Sequence, residues 1–418
     1  MTRILVIEAV QYGSYYAERY ELLVQLGYEI QVLYGCANGP AQFSGSITAG
    51  TTDVATIADK AAVLHGETPF DGVTTLAEPS VLATAFIADR LSLPYLSRSA
   101  ALRSRNKACM RRAHAAAGAP HPDFIFASDI SDLAGWESTG HNYPAIIKPT
   151  MGAASSFVFK VCNRAELERF GALALDHLSE VPAIQLEATG LDLGPHGIIV
   201  EEFLTGSEHL IEGYVHAGRF VMGSLVDRIA VEGSTFDNDV HHAPTVLPAD
   251  KVAAVHDAIQ LGTAAQGIDG TTVHAEVRFH GGRPFIVEIG ARPGGGGLHH
   301  MAQASYGYDA LRATAEIAIG RDPEHRFAPA ARHTVAACLI SEAEGEIVGV
   351  NGADGIDDAD VLFTRIVARP GDINRRPPNG NSILGFLGVL GDDFEQTKAA
   401  LSHASARITV NVKGGTVR

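Results

Sequence analysis

The hydrophobic pattern changes period several times within the first hundred residues. Arg3–Val10 is a nearly continuous apolar run and reads as a buried strand, whereas Tyr15–Leu26 repeats its apolar positions every three or four residues and reads as an amphipathic helix. The alternation continues through Glu29–Tyr34 (strand), Asp53–His65 (helix), Gly72–Thr75 (short strand), Ser80–Leu91 (helix) and Pro94–Leu96 (strand). Strands interleaved with helices of this length predict a parallel sheet with both faces covered. The Gly35–Gly45 loop is rich in small residues, and no G-x-G-x-x-G follows the first strand, so a dinucleotide-binding fold is unsupported.

A helix is predicted from Arg103 to Ala117, stopped by Gly118 and Pro120. His141–Val161 reads as strand, glycine-containing turn, strand. Further strands are expected at Ile198–Phe203 and Leu210–Val215, the latter pairing with Arg219–Leu225 through the turn at 216–218. Ala249–Gln266 is a helix, Thr272–Phe279 and Pro284–Ile289 form a hairpin around Gly281–Gly282, and helices follow at Tyr308–Gly320 and Phe394–Ala404. The class is α/β, with a parallel sheet first and an antiparallel-rich second half.

Composition narrows the partners. A chain of 418 residues calls for two or three domains. Its net charge of −16 disfavours a nucleic-acid or anionic-membrane surface. No apolar run approaches the ~18 residues that span a bilayer, and the N-terminal residues read as a first strand, not a signal peptide. The four cysteines are scattered without a C-x-x-C pair, which suits reduced thiols in the cytoplasm and makes a zinc site improbable. Only seven of the 32 basic residues are lysines, so each lysine beside proline or glycine draws notice.

The hairpin near residue 280 carries the strongest chemical signal. His274, Glu276 and Arg278 alternate onto one strand face, and Glu288 and Arg292 share a face on the next. A three-residue loop at 281–283 would set Glu276 opposite Glu288. Two carboxylates at that distance need a cation between them, either magnesium or the neighbouring arginines as a surface charge network. A second signal is Lys148, ending an apolar strand before the small-residue turn that contains Gly152, Ser155 and Ser156, an arrangement able to cradle phosphate. The third is Ile198–Glu208, where Glu201, Glu202, Phe203 and Leu204 could clamp an adenine and Glu208 could meet ribose hydroxyls, or where the chain merely hinges. His241 and His242 titrate in the range of a general base but read equally as loop histidines. Glu78 could receive a substrate ammonium or simply satisfy a helix N-terminus.

Taken in order, these segments resemble the ATP-grasp superfamily across nearly the whole chain. The resemblance implies three parts: an N-terminal parallel-sheet domain (1–105), a linker helix with a small lid subdomain (106–202), and a C-terminal antiparallel α+β domain with a metal site and closing segment (203–418). It implies that Lys107 and Lys148 are the two ATP lysines, that Ser155 and Ser156 lie in the phosphate-covering loop, and that Glu201–Leu204 hold adenine with Glu208 on the ribose. Glu276 and Glu288 would bind one or two magnesium ions, which manganese can replace. One departure matters: Gly290 stands where most members carry an asparagine metal ligand. The sequence Glu288-Ile-Gly290-Ala-Arg292-Pro-Gly294 is similar to the L-amino-acid ligase (dipeptide synthetase) branch, whose arginine stabilises the acyl phosphate. The resemblance thus implies an ATP-dependent carboxylate–amine ligase acting on small molecules, amino acids foremost, releasing ADP and phosphate. Arg292, Lys148 and His242 are then the catalytic candidates, and Glu78, Arg292 and Gly294 the substrate candidates. A homodimer fits, and nucleic acid and membrane do not. A carboxylase-type enzyme and a non-catalytic nucleotide-binding subunit are the alternatives.

Overall fold

The computed structural model describes residues 1–10, 15–36, 43–152, 157–176, 178, 191–229, 240–330, 332–341, 343–353, 360–375, 383–413 and 415–417. Four sheets organise them. The first is parallel throughout, in the order Ser46–Thr48, Glu29–Cys36, Arg3–Val10, Gly72–Thr74. The strand Arg3–Val10 shows why Ile4–Ile7 is apolar at each position: Leu5 and Ile7 enter one core, with Val54, Ile57 and Ile87, while Ile4 and Val6 enter another, with Tyr20 and Leu23. Both faces are covered by helices, so both must be apolar.

Two expectations for the segment that follows need correction. Pro94–Leu96 forms no strand. The helix Val81–Leu91 ends on Ser92 in the left-handed region (φ 56°), and five residues later the Ser97 hydroxyl already caps the helix Arg98–Arg105, leaving no room for a paired extended run. The helix expected over Arg103–Ala117 is two helices, Arg98–Arg105 and Lys107–Ala117, broken at Asn106 in an extended conformation (φ −94°, ψ 112°). The break is an N-cap: Asn106 Oδ1 accepts from the amides of Ala108 (3.0 Å) and Cys109 (3.1 Å).

An antiparallel four-stranded sheet follows, ordered Phe124–Ala127, Ile198–Glu202, Ala145–Pro149, Phe159–Val161, with Trp136 and Leu167 buried against it. The small-residue turn with Ser155 and Ser156 lies outside the described residues. The third sheet has eight strands and carries the largest core. Its order is Arg283–Gly290, Thr271–His280, Glu208–His216, Arg219–Ile229, Val240–Ala243, His333–Ile340, Ile383–Gly391, Val361–Ile366. Helix Ala249–Gln266 packs beneath it. A further helix, Leu298–Tyr306, starts directly from a glycine run and gave no sequence signal of its own. The last sheet is Ile373–Asn374, Gly345–Asn351, Thr409–Val412, Gly415–Val417.

The hairpin sets Glu276 opposite Glu288, by a different route from a three-residue loop. His280 pairs with Arg283, so the turn is the two-residue Gly281–Gly282, with φ of 55° and 76°. Two successive positive φ values suit glycine and match the strand twist. With that turn alone Glu276 would face Val287. A bulge moves the register by one residue, so that Val277 pairs with Ile286 and Glu276 with Glu288.

Within the parallel sheet, Glu8 is fully buried and accepts a hydrogen bond from the Tyr20 hydroxyl at 2.5 Å. Burial outweighs the help of Tyr20 and Arg19 and pushes its carboxyl up to about 8. A group that binds its proton more tightly when folded contributes stability that is complete below its ordinary value and is lost as pH rises through the folded one. Glu8→Gln is therefore expected to flatten the fall in Tm between pH 4.5 and 8 and to melt higher than the parent at pH 8. Parallel curves for the two proteins would contradict this.

Candidate functional site

The Asn106 break places the first lysine. Asn106 is held from both sides, its Nδ2 donating to the carbonyls of Leu193 (2.8 Å) and Pro195 (3.0 Å). Lys107, the first residue of its helix, donates its amide to Thr150 O (2.8 Å). Its side chain is thereby sent across to the hairpin, where Nζ meets Glu288 Oε1 at 3.0 Å. Lys148, at the end of its strand, is buried and contacts Glu201 Oε2 at 2.7 Å; the other oxygen of Glu201 lies 2.7 Å from Arg111 Nε. Burial lowers Lys148 from the ordinary lysine value against the pull of Glu201. Burial would raise Glu201, but Arg111 and Lys148 together hold it below the usual carboxylate range.

One face of the large sheet supplies the acidic groups. Glu208 opens its strand between two arginines from the neighbouring strands, Arg228 Nη1 at 2.6 Å and Arg278 Nη2 at 2.9 Å. Four residues on, Glu212 accepts from His274 Nδ1 at 2.6 Å, and Glu276 lies 3.8 Å from His274 Nε2. Burial works against ionisation of Glu276, but His274 and Arg228 hold it well below the usual carboxylate range. His274, Glu276 and Arg278 line the same cleft as Glu288, as their alternation predicts.

Arg292 finds its carboxylate elsewhere. Its Nε donates to Glu78 Oε2 at 2.6 Å and its Nη1 to the Pro293 carbonyl at 3.0 Å, while Arg105 Nη1 takes Glu78 Oε1 at 2.7 Å. Burial raises Glu78, but Arg292 and Arg105 outweigh it and bring the carboxyl down to about 2. Both oxygens of Glu78 are thus engaged by guanidinium groups, and what it does directly is to hold Arg292. Gly290 now has a physical reason. A Cβ at that position would stand 2.9 Å from Glu78 Oε2, so the space of the expected asparagine belongs to the Glu78–Arg292 pair. Gly294 is similarly confined: its amide donates to Glu212 Oε2 (2.8 Å), and a Cβ would meet Glu212 Oε1 at 2.2 Å.

These groups surround one cleft. Its walls bring together Glu78, Lys107, Lys148, Gly152, Glu201, Glu202, Phe203, Leu204, Glu208, His274, Glu276, Arg278, Glu288 and Arg292, with Arg228 added by the fold. His242 is not among them. It is buried on the other face of its strand, 3.7 Å from Asp227 and stacked on His333. His241, paired in register with Arg228, is the one that shares the cleft face, so the expectation of His242 as base is not supported by its position. Sequence reasoning also missed Arg228 as a partner of Glu208. Counting back from the 216–218 turn pairs Arg228 with Ser207; a bulge between Met222 and Ser224 shifts it to Glu208. Two opposed carboxylates with hard oxygen donors fit magnesium, which takes one or two protein carboxylates beside phosphate oxygens.

Residues 141–300 match the family described as ATP-grasp domain, and residues 337–413 match L-amino acid ligase C-terminal domain 2, so the two cover more than half of the chain. The chain carries an ATP-grasp domain followed by an L-amino acid ligase C-terminal domain 2. Among its ATP-grasp relatives, carnosine synthase 1 of Gallus gallus is 28% identical over 203 residues, 48% of this chain and 21% of that protein. The L-arginine-specific L-amino acid ligase of Bacillus subtilis is 24% identical over 269 residues, 61% of this chain and 59% of that protein. The chain thus spans from about a fifth to three-fifths of the curated relatives it matches. The L-amino acid ligase of Bacillus licheniformis has the same ATP-grasp fold, with a TM-score of 0.84 at 22% identity over 99% of both chains.

The crowding at Gly290 gives a direct test. Gly290→Asn is expected to separate Glu78 from Arg292 and lower stability on the scale of about 1–3 kcal/mol typical of overpacking, with no gain in magnesium affinity. An asparagine variant that melts like the parent and binds magnesium more tightly would contradict the assignment of that space to Glu78.

Proposed function

We propose that the protein is an ATP-dependent ligase that joins the carboxylate of one amino acid to the amine of another, giving a dipeptide, ADP and phosphate. The observation that supports it is the convergence of Lys107, Lys148, Glu276, Glu288 and Arg292 on one cleft. Its likeness to L-amino acid ligases and carnosine synthase supports the substrate class. In this reading a carboxylate oxygen attacks the γ-phosphorus of ATP and ADP leaves. The amine then attacks the acyl carbon and phosphate departs. Lys107 and Lys148 hold the phosphates. Phe203 and Leu204 flank the base, with Lys160 Nζ 3.9 Å from the Phe203 ring. Magnesium held by Glu276 and Glu288 would supply positive charge at the phosphate oxygens. Arg292 is pre-set by Glu78, so its guanidinium meets the acyl phosphate without rearranging. The parts 1–105, 106–202 and 203–418 would act as base, lid and catalytic platform.

With amino acids supplied, ATP is expected to be converted to ADP and phosphate, and chromatography of the spent nucleotide decides the point. AMP as the main product removes the acyl-phosphate reading. Lys148→Ala should lower turnover at least ~100-fold, the scale of losing a principal electrostatic stabiliser. Arg292→Lys should lower turnover strongly at nearly unchanged ATP affinity, because lysine cannot reproduce the fork that Glu78 orients. A lysine variant with near-normal turnover takes Arg292 off the catalytic path.

A further inference from the structure

The face of the large sheet turned away from the cleft carries a second set of polar groups. Side chains alternate along the strand Glu208–His216, so with Glu208 on the cleft wall His209 points to the opposite face. There its ring meets Phe279 edge-on at 5.5 Å. Asp227 is the residue directly across from His209 on the strand Arg219–Ile229, and its Oδ1 lies 2.9 Å from His209 Nδ1. The other ring nitrogen, Nε2, lies 2.8 Å from the Ser207 hydroxyl oxygen. His209 and Asp227 are buried, at 3% and 5% exposure, whereas Ser207 is exposed. A hydrogen-bonded line thus runs from a surface hydroxyl to a buried carboxylate. The turn that presents Ser207 is pinned on its other side: the Gly206 amide donates to Phe279 O at 2.9 Å and the Phe279 amide to Ser207 O at 2.8 Å. A Cβ at 206 would stand 2.1 Å from Phe279 O, so only glycine allows that approach.

The position of each proton follows from Asp227. Burial raises its carboxyl, but hydrogen bonds from His209, His242, Thr245 and the Val246 amide outweigh it and hold it well below the usual carboxylate range. The Val246 amide reaches Oδ2 at 2.8 Å, and the Thr245 hydroxyl donates to Oδ1. An ionised carboxylate only accepts, so Nδ1 of His209 carries the proton between them. The neutral ring then has its lone pair at Nε2, and the Ser207 hydroxyl is the donor. This is the relation found in a Ser–His–Asp triad, a hydroxyl against a base whose tautomer and orientation are fixed by a buried acid. In such triads the amide of the nucleophile helps to hold the oxyanion. Among the described residues the Ser207 amide donates to no protein acceptor, which leaves it for that task.

We propose that Ser207, His209 and Asp227 form a second reactive centre, which cleaves small activated carboxylic esters through an acyl-serine. Ser207 Oγ attacks the ester carbonyl carbon as its proton passes to His209 Nε2, and the alcohol leaves with that proton. Water then attacks the acyl-serine, giving a proton to Nε2 that returns to Ser207 Oγ as the acid departs. Asp227 stays ionised throughout and balances the imidazolium. Neither Ser207 nor His209 lines the nucleotide cleft, so this chemistry stands apart from the ligase reading.

The test uses the whole protein with p-nitrophenyl acetate and with an alkyl fluorophosphonate, which loses fluoride as its phosphorus bonds to the serine oxygen. Mass spectrometry of the labelled parent should find a single phosphonyl group, on Ser207, and ester hydrolysis should fall as labelling proceeds. Ser207→Ala, a change at an exposed position, should keep the parent Tm and lose both labelling and hydrolysis above the spontaneous rate. His209→Gln should slow labelling at least ~100-fold, the scale of losing a general base. Should that variant melt early, the parent in urea replaces it: only the folded chain should label. An unlabelled parent, a label on another residue, or hydrolysis that survives Ser207→Ala overturns the proposal. So does equal labelling of His209→Gln or of the unfolded chain, and the three residues are then a structural pin between strands.

Discussion

Buried charge must be compensated, and in this protein three of the compensations around the cleft join elements far apart in the chain. Glu78 ties Arg105 to Arg292, Glu288 ties the hairpin to Lys107, and Glu201 ties Lys148 to Arg111. A buried pair adds little net stability compared with apolar packing, but losing one partner leaves a charge in low dielectric and costs several kcal/mol. The pairs therefore act as position locks. The helix break at Asn106, the bulge at Val287 and the glycine at 290 are all local irregularities that let these partners meet.

The same pairing suits a magnesium nucleotide. A triphosphate would present negative oxygens to Lys107 and Lys148, and magnesium would present positive charge to Glu276 and Glu288. Lysine and carboxylate can each trade one opposite charge for another without either being left uncompensated. Arg292 differs, because it is paired with Glu78, whose other oxygen Arg105 holds. It keeps its orientation whatever occupies the phosphate side. That separation is the physical basis for assigning it to the reacting carboxylate and not to the nucleotide.

Much of the fold was legible because period and burial agree. The doubly buried run Ile4–Ile7 had to be apolar at every step, and the alternation at His274, Glu276 and Arg278 set one face to the cleft. Registers were less legible. The Glu276–Glu288 pairing was anticipated, yet it arises from a two-residue turn and a bulge, two offsets that a residue count cannot separate. A similar bulge concealed Arg228 from Glu208. His241 and His242 read as loop residues, and the parity that sets His241 beside Arg228 exists only once Val240–Ala243 pairs as a strand in the folded sheet. Glu78 and Arg292 are 214 residues apart, so nothing local announces their contact. An asparagine at 106 looks like a helix interior until its cap is seen.

The claim at the centre of this account is that the carboxylate is activated by direct attack on the γ-phosphoryl group. The most direct measurement follows oxygen-18 from amino acids labelled in the carboxylate into inorganic phosphate, by mass spectrometry of the products formed with ATP and magnesium. An acyl phosphate leaves a carboxylate oxygen on the departing phosphate, so the label should appear there in step with ADP. Unlabelled phosphate formed alongside ADP and amide product would contradict the account.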